Sequence, residues 1–258
     1  MSEDEAKPKL RIVSGSQQSP AEGSDLSIVP LPGEKEFPGL PAMPDALLQL
    51  ELCLTASAVD LQNITSIIRG DVGLTVQLLR FAARETELFP GRINPISEIV
   101  IQLGISKLRA LAAQTEPLPE RLRSAAGSDE CERFWTHARV TALIAEELAG
   151  QSSEVNHEAN PEVNPEEAYL AGLLCHIGDL PEILGWEIAG SAETDSRRFG
   201  YRMAKAWGLP AILTELIGGF GEVSRPPGSH ALLDIAEAAD NRAIRLRSLA
   251  ARDEMPPE

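Results

Sequence analysis

The chain has 258 residues, of which 43% are hydrophobic and 24% are charged, so it is long enough to bury a substantial core. Its formal net charge of −16 argues against binding nucleic acid and against docking on anionic lipid, because both need a clustered excess of Lys and Arg. Three cysteines are too few for a disulfide framework. The N-terminal residues lack the apolar run of a signal peptide, and no window approaches a membrane span, so we expect a cytoplasmic protein.

Composition divides the chain into a long central region and two polar ends. Residues 1–36 are rich in Ser, Gln, Glu, Lys and Gly and carry few large apolar groups, so we predict a disordered tail. The Pro-rich stretch "FPGLPAMP" then marks the entry to an ordered region over residues 37–252. Residues 253–258 are predicted to be a disordered C-terminal end.

The first half of the ordered region shows helical spacing of apolar residues. It recurs through "DALLQLELCL", "DLQNITSIIRGD" and "GLTVQLLRFAARE", with Asp60 placed as an N-cap. The stretch "PISEIVIQLGISKLRALAAQ" predicts two helical pieces separated at Gly104. Ala and Leu dominate the composition and aromatic residues make up only 4%, which also favours helices over strands.

The second half continues the same pattern. A helix through "FWTHARVTALIAEELAG" is predicted to end at Gly150, and Asn164 caps a helix that runs through "AYLAGLLCHI". Because that last stretch is apolar nearly all round, we place it at the centre of the bundle. Helices follow in "RRFGYRMAKAW", in "PAILTELI" and from about Ser229 to Ala251, and no strand is predicted. The fold class is therefore all-α, a multi-helical bundle of two lobes over roughly residues 37–115 and 129–250.

Several segments in this order carry a resemblance to a known family. They are the multi-helical first half, "FWTHARVTALIAEELA", "AYLAGLLCHIGDL", "FGYRMAKAWGLPAIL" and a closing helix that contains "AEAAD". The chain resembles the HD-related output domain (HDOD) family over roughly residues 37–250. That family is a mostly non-catalytic branch of the HD metal-dependent phosphohydrolase superfamily and occurs in bacterial signalling proteins. The resemblance implies an HD-domain-like fold.

The resemblance also implies a candidate site. In catalytic members of the superfamily, a first His, an adjacent His-Asp pair and a later Asp hold metal ions that activate water. The first His matches His137, the pair falls on Cys175 and His176, and the final Asp matches Asp240. Both members of the pair have thus changed. Near Ser196 and at Gly218–Gly219, where the family often has His, this chain has none.

Each of these residues also has a structural interpretation. His137 shares a helical arc with apolar residues and is predicted to be a hydrogen-bonded core residue, and Cys175 is predicted to be a small buried hydrophobe. Burial raises the pKa of a thiol, so a Cys175 nucleophile is not expected. Asp240 could cap or pair. Zinc suits Cys, His and Asp ligands, but no fourth protein ligand is identified.

These observations predict a protein that is not an enzyme and has no cofactor or bound metal. The residues His137, Cys175, His176 and Asp240 would form a vestigial pocket. As the family implies, its partners could be a histidine kinase, a response regulator or a cyclic-nucleotide enzyme. One alternative is a metal-dependent phosphohydrolase with an altered ligand set. The other is a sensor that binds nucleotides without hydrolysing them.

Overall fold

The computed structural model describes residues 9–10, 37–85, 93–120, 122, 128–155, 163–188, 195–218 and 229–253. The first lobe contains α1 (Pro44–Thr55), α2 (Leu61–Arg69), α3 (Val72–Glu85) and α4 (Ile96–Gln114). The second lobe contains α5 (Ser128–Val155), α6 (Pro165–Leu174), a 3-10 turn (Ile177–Asp179), α7 (Leu180–Ile183), α8 (Ser196–Ala206), α9 (Ala211–Ile217) and α10 (Ser229–Asp253). The predicted all-α class is confirmed. The predicted domain limits stay predictions.

Local sequence signals account for most of the helix limits. The Asp60 carboxylate accepts from the backbone N–H of Gln62 and Asn63 and so caps α2, and Asn164 caps α6 by accepting from Glu166 N–H. Gly104 interrupts α4 with a φ of 72°, as the sequence predicted. Gly150 does not end α5, which continues to Val155. A single glycine inside a helix costs only about 1 kcal/mol, which packing can offset.

Helix α6 is the central element of the second lobe. It packs along α5 and against α9 and α10, and all of its residues from Ala168 to Leu174 are buried. Gly172 makes this packing close, because a Cβ there would lie 2.9 Å from the carbonyl oxygen of Thr141 on α5. Because α5 and α6 approach closely, side chains near the start of α5 can reach those just after the end of α6.

The sequence predicted no strand, and among the described residues one two-residue strand pair is present. Residues Lys9–Leu10 pair in parallel with Glu187–Ile188, two residues on each side. A pairing this short is marginal by itself, since isolated two-stranded ribbons are scarcely stable in water. Within the described part of the chain, no helix combines the length and the apolar character needed to cross a bilayer.

Polar contacts join the two lobes at the end of α2 and the start of α3. The carboxylate of Asp71, which is 1% exposed, accepts from the indole N–H of Trp135 on α5 at 2.9 Å. It also accepts from the backbone N–H of Met43 and of Leu74. Beside it, Arg69 forms ion pairs with Glu146 and Glu166. Side chains of the first lobe are thus bonded directly to α5 and α6.

Candidate functional site

Three of the four predicted site residues come together at one point. Oδ1 of Asp240 lies 2.9 Å from Nε2 of His137 and 3.0 Å from Nε2 of His176. The two imidazole rings are tilted to each other, with centroids 5.5 Å apart. Because a carboxylate only accepts hydrogen bonds, each imidazole donates its Nε2–H to the same oxygen. The result is a cluster of His137, His176 and Asp240, called here the His–Asp–His cluster.

Three separate elements position this cluster. His137 lies on α5, one residue before buried Ala138, and Asp240 follows buried Ala239 on α10. His176 lies in the turn between α6 and the 3-10 turn. The 3-10 turn that follows His176 packs directly against the start of α8. The approach is so close that a Cβ on Gly178 would lie 1.9 Å from the carbonyl oxygen of Ser196. A side chain at position 178 would therefore displace the segment that carries His176.

Cys175 lies outside the cluster, and two expectations about it need correction. The sequence predicted a helix through "CHI", whereas α6 ends at Leu174 and Cys175 is its C-cap. The thiol was predicted to be a buried hydrophobe, but it is only partly buried, and it donates to the carbonyl oxygen of Gly172 at 3.3 Å. Since α6 ends before them, Cys175 and His176 diverge along a turn, and only His176 reaches Asp240.

The hydrogen bonds set the charges of the cluster. Bonds from His137 and then His176 hold the pKa of Asp240 well below its usual range. The bond to Asp240, followed by the Cys175 side chain, raises the pKa of His176 to about 11 against the opposing effect of burial. Near neutral pH an imidazolium at position 176 therefore faces a carboxylate at position 240. The charge of Asp240 is already balanced from within the protein.

A cavity of about 200 Å³ opens beside the cluster. Besides Cys175, His176 and Asp240, its lining includes residues outside the predicted site, among them Asp179, Arg197 and Glu237. Asp179 follows in "CHIGD", three residues after His176, and its Oδ2 lies 3.7 Å from Nδ1 of that histidine. Arg197 and Glu237 gave no local signal, because only the packing of α8 and α10 brings them here.

The positions where the family often has His do not extend the donor set. Ser196 lines the cavity at the start of α8. Gly218 follows the end of α9, and Gly219 lies outside the described residues. A hydroxyl and a glycine at the two described positions supply no imidazole. The described site therefore lacks the accessory histidines, as the sequence indicated.

The residues do not fit the dinuclear metal site of the HD superfamily. That site needs a carboxylate beside the second histidine, and here position 176 supplies an imidazole while Cys175 is bonded to Gly172. A single ion is a separate question, because the donor atoms of His137, His176 and Asp240 all lie within 4.8 Å of one another. Histidine and carboxylate bind zinc at about 2.0–2.2 Å, so donors spaced in this way could surround one ion once both Nε2–H protons are lost.

The fold and this convergence define the class of protein. An all-helical chain that brings a histidine, the turn after a central helix and a late aspartate to one point is an HD-like helical domain. The chain belongs to the HDOD family, because the HDOD domain matches residues 40–184, which is more than half of its length. The match includes His137, Cys175 and His176 and ends before Asp240.

Solved structures show the same fold. A fragment of the MmoQ response regulator from Methylococcus capsulatus has a TM-score of 0.57 and 17% identity, and the similarity covers 85% of this chain and 93% of that one. A second structure of MmoQ gives the same TM-score with 16% identity, and covers 82% of this chain and 88% of that one. Among curated proteins, none matches the sequence significantly. At these identities the likeness concerns the fold alone.

Proposed function

We propose that this protein is a non-catalytic signalling module that works by binding other proteins. Membership of the HDOD family supports a role in signalling. The observation that carries the non-catalytic part is the donation of two imidazole N–H groups to one oxygen of Asp240, at 2.9 and 3.0 Å. In this arrangement the donors that would bind a metal bind one another.

The charge of the site supports the same proposal. Metal-assisted hydrolysis needs an ion that lowers the pKa of bound water from about 15.7 to about 7, and anionic ligands stabilise that ion. Here the position that would supply a bridging carboxylate carries an imidazole, and its pKa is raised by Asp240. A divalent cation would have to displace a proton from His176 and then share a single carboxylate.

For partners we propose a histidine kinase, a response regulator or a cyclic-nucleotide enzyme. The neighbour in Methylococcus capsulatus is named a response regulator, which is consistent with a place in signalling. An acidic surface, with a net charge of −16, would favour a partner with a basic face, and such an encounter would weaken as salt is added.

Metal analysis and an activity assay test the non-catalytic part. Protein purified without an affinity tag should contain far less than stoichiometric zinc, manganese or iron, and should not cleave phosphodiesters or cyclic dinucleotides. Asp240→Ala should then change neither metal content nor activity, with Asp234→Ala, an exposed aspartate on the same helix, as the matched control. Stoichiometric metal that is lost in Asp240→Ala and kept in Asp234→Ala would overturn the proposal.

The interaction part needs its own experiment. The full chain, immobilised through an exposed site, should enrich one of the three named partner classes from a lysate of its source cells. The enriched protein should then bind the purified chain. Because the His–Asp–His cluster is proposed to be structural, His176→Gln should leave that binding unchanged. Failure of all three partner classes to bind the purified chain would contradict the interaction part.

One observation favours a second candidate, a metal-dependent phosphohydrolase with an altered ligand set. The three donor atoms of the His–Asp–His cluster are close enough for a single ion. Adding zinc, manganese or iron(II) to the purified protein would have to produce phosphoester cleavage that depends on His137. A nucleotide sensor has less support, because the cavity of about 200 Å³ is smaller than the roughly 300–1,000 Å³ of typical small-molecule sites.

A further inference from the structure

A second cleft lies on the first lobe, between α3, the end of α4 and the chain segment before α1. Its volume is about 300 Å³, and its lining includes Gly39, Gln77, Arg80, Arg84 and Glu116. One wall is fixed, because the side-chain amide of Gln77 donates to the carbonyl oxygen of Leu40. Gly39 leaves room for the arginine, since a Cβ there would lie 2.7 Å from Nη1 of Arg80.

Arg80 is held in this cleft without a carboxylate. Its Nη1 donates to Oε1 of Gln77, and its guanidinium carbon lies 5.5 Å from the ring centre of Trp207 in the second lobe. Its Nε–H is buried and has no hydrogen-bond acceptor among the described residues. Within the described residues no ion pair involves Arg80. Stacking on Trp207 explains the position of the side chain, but it leaves the buried donor and the charge unmatched.

Arg69 shows how the same chain treats a comparable arginine. It also stacks on an aromatic ring, that of Tyr169, at 4.1 Å, yet it is paired with both Glu146 and Glu166. In a chain with 39 acidic and 23 basic residues, carboxylates are the more abundant partner. The absence of one beside Arg80, among the described residues, is therefore a distinguishing feature of this cleft.

Arg84 adds a second positive charge one helical turn further on. It is exposed and lies in the last turn of α3, where the helix dipole favours a cation. Its charge and burial together lower the pKa of Arg80 to about 10, with burial the larger cause. Glu116 lines the same cleft but is exposed, and no ion pair from it to either arginine is among the described contacts. Two like charges at this spacing disfavour each other unless an anion lies between them.

We propose that this cleft binds a phosphoryl group between the guanidinium groups of Arg80 and Arg84, which both line it. Guanidinium groups match phosphate oxygens in geometry and in charge, and a doubly charged anion would balance both arginines. The volume exceeds that of a phosphate ion, so the ligand could be free phosphate or a small phosphate ester. This cleft shares no lining residue with the cavity beside the His–Asp–His cluster, and the proposal does not depend on the proposed function.

Isothermal titration of the full chain with inorganic phosphate and with glycerol 3-phosphate, at constant ionic strength, tests the proposal. Binding of phosphate alone or of both ligands supports the site, and tighter binding of the ester identifies it as the better ligand. Arg84→Gln should weaken binding about tenfold, as expected for the loss of one charge-assisted contact, without changing stability, because Arg84 is exposed. Arg80→Lys keeps the charge but loses the planar guanidinium, and should weaken binding at least as much.

The matched control is the double variant Arg245→Gln/Arg247→Gln, which removes exposed charges from α10. Its affinity for phosphate should stay within about twofold of that of the unmodified chain, because binding in the cleft does not depend on distant charges. Non-specific attraction, by contrast, would weaken whenever positive charge is removed. Absence of binding to either ligand would overturn the proposal. So would binding that Arg84→Gln and the control variant weaken equally.

Discussion

Replacing Trp135 with phenylalanine should weaken the junction between the two lobes. The substitution removes the indole N–H that donates to Oδ2 of Asp71 at 2.9 Å and leaves the rest of the aromatic contact with Phe134 largely in place. Asp71 is 1% exposed, so water cannot readily replace the lost donor. The carboxylate would retain its bonds from the backbone N–H groups of Met43 and Leu74.

The size of the effect follows from burial and charge. A hydrogen bond to a charged group contributes about 1.5–3 kcal/mol, and the smaller ring leaves a small void, so the free energy of unfolding should fall by about 2–4 kcal/mol. Asp71→Asn should cost at least as much, because an amide N–H would face donors. In the double variant the losses should be less than additive by about 1–2 kcal/mol, since both changes break the same bond.

Urea unfolding followed by circular dichroism at about pH 7.5 measures these losses. The matched control is Trp186→Phe, a partly exposed tryptophan of the second lobe, for which we expect a loss of at most about 1 kcal/mol. A loss for Trp135→Phe below about 0.5 kcal/mol, or equal to that of the control, would refute the reasoning.

The same bond should depend on pH. Burial raises the pKa of Asp71 to about 6, above the value of 3.8 for an unperturbed Asp. The folded state therefore takes up a proton as pH falls through about 6, before the unfolded state does, and the bond from Trp135 is then made to a neutral carboxyl. Bonds between neutral groups contribute about 0.5–1.5 kcal/mol, so the loss in Trp135→Phe should be roughly halved at about pH 5.

The remaining predictions concern the cluster, the chain ends and the lobes. His176→Gln should lower the free energy of unfolding most below about pH 6.5 and progressively less towards pH 11. The reason is that the pKa of His176 is raised in the folded state, so its stabilising positive charge is lost as pH rises. Urea unfolding at several pH values measures this loss. Deletion of residues 1–36 should change the free energy of unfolding by no more than about 0.5 kcal/mol, and a larger loss would mean that the tail packs on the bundle. Residues 37–115 and 129–250, expressed separately, should not melt cooperatively, because each would expose its contacts with the other; cooperative melting of either would indicate independent domains.

Local chemistry made most of the fold predictable from the sequence. Asp60 and Asn164 cap helices as their residue types suggest, and Gly104 interrupts α4. The end of α6 was not predictable in the same way, because "AYLAGLLCHI" is apolar beyond the point where the helix stops. Residues 175 and 176 lie outside the helix because Gly178, just after them, packs closely against Ser196 at the start of α8. That contact depends on a segment distant in the sequence.

The candidate site was predictable only in part. The family resemblance named His137, Cys175, His176 and Asp240 together, but nothing local indicates that both imidazoles would meet one oxygen and that Cys175 would not. The buried Asp71, and Arg80 with no ion pair among the described residues, gave no signal either. Their aromatic partners, Trp135 and Trp207, lie in the other lobe.

Position 176 decides what the His–Asp–His cluster can do. A carboxylate there would place two negative charges beside His137, and such a set needs a cation to be stable in a half-buried site. The imidazole instead supplies a hydrogen-bond donor and a positive charge, so Asp240 is satisfied by the chain itself. The same three elements, α5, the turn after α6 and α10, are then joined by hydrogen bonds where a metal ion would otherwise join them. Under the proposed function, the imidazole at position 176 keeps these three elements together for partners to bind, without the need for a metal ion. It follows that His176→Asp without added metal should destabilise the protein, since two carboxylates would then repel each other across the cluster.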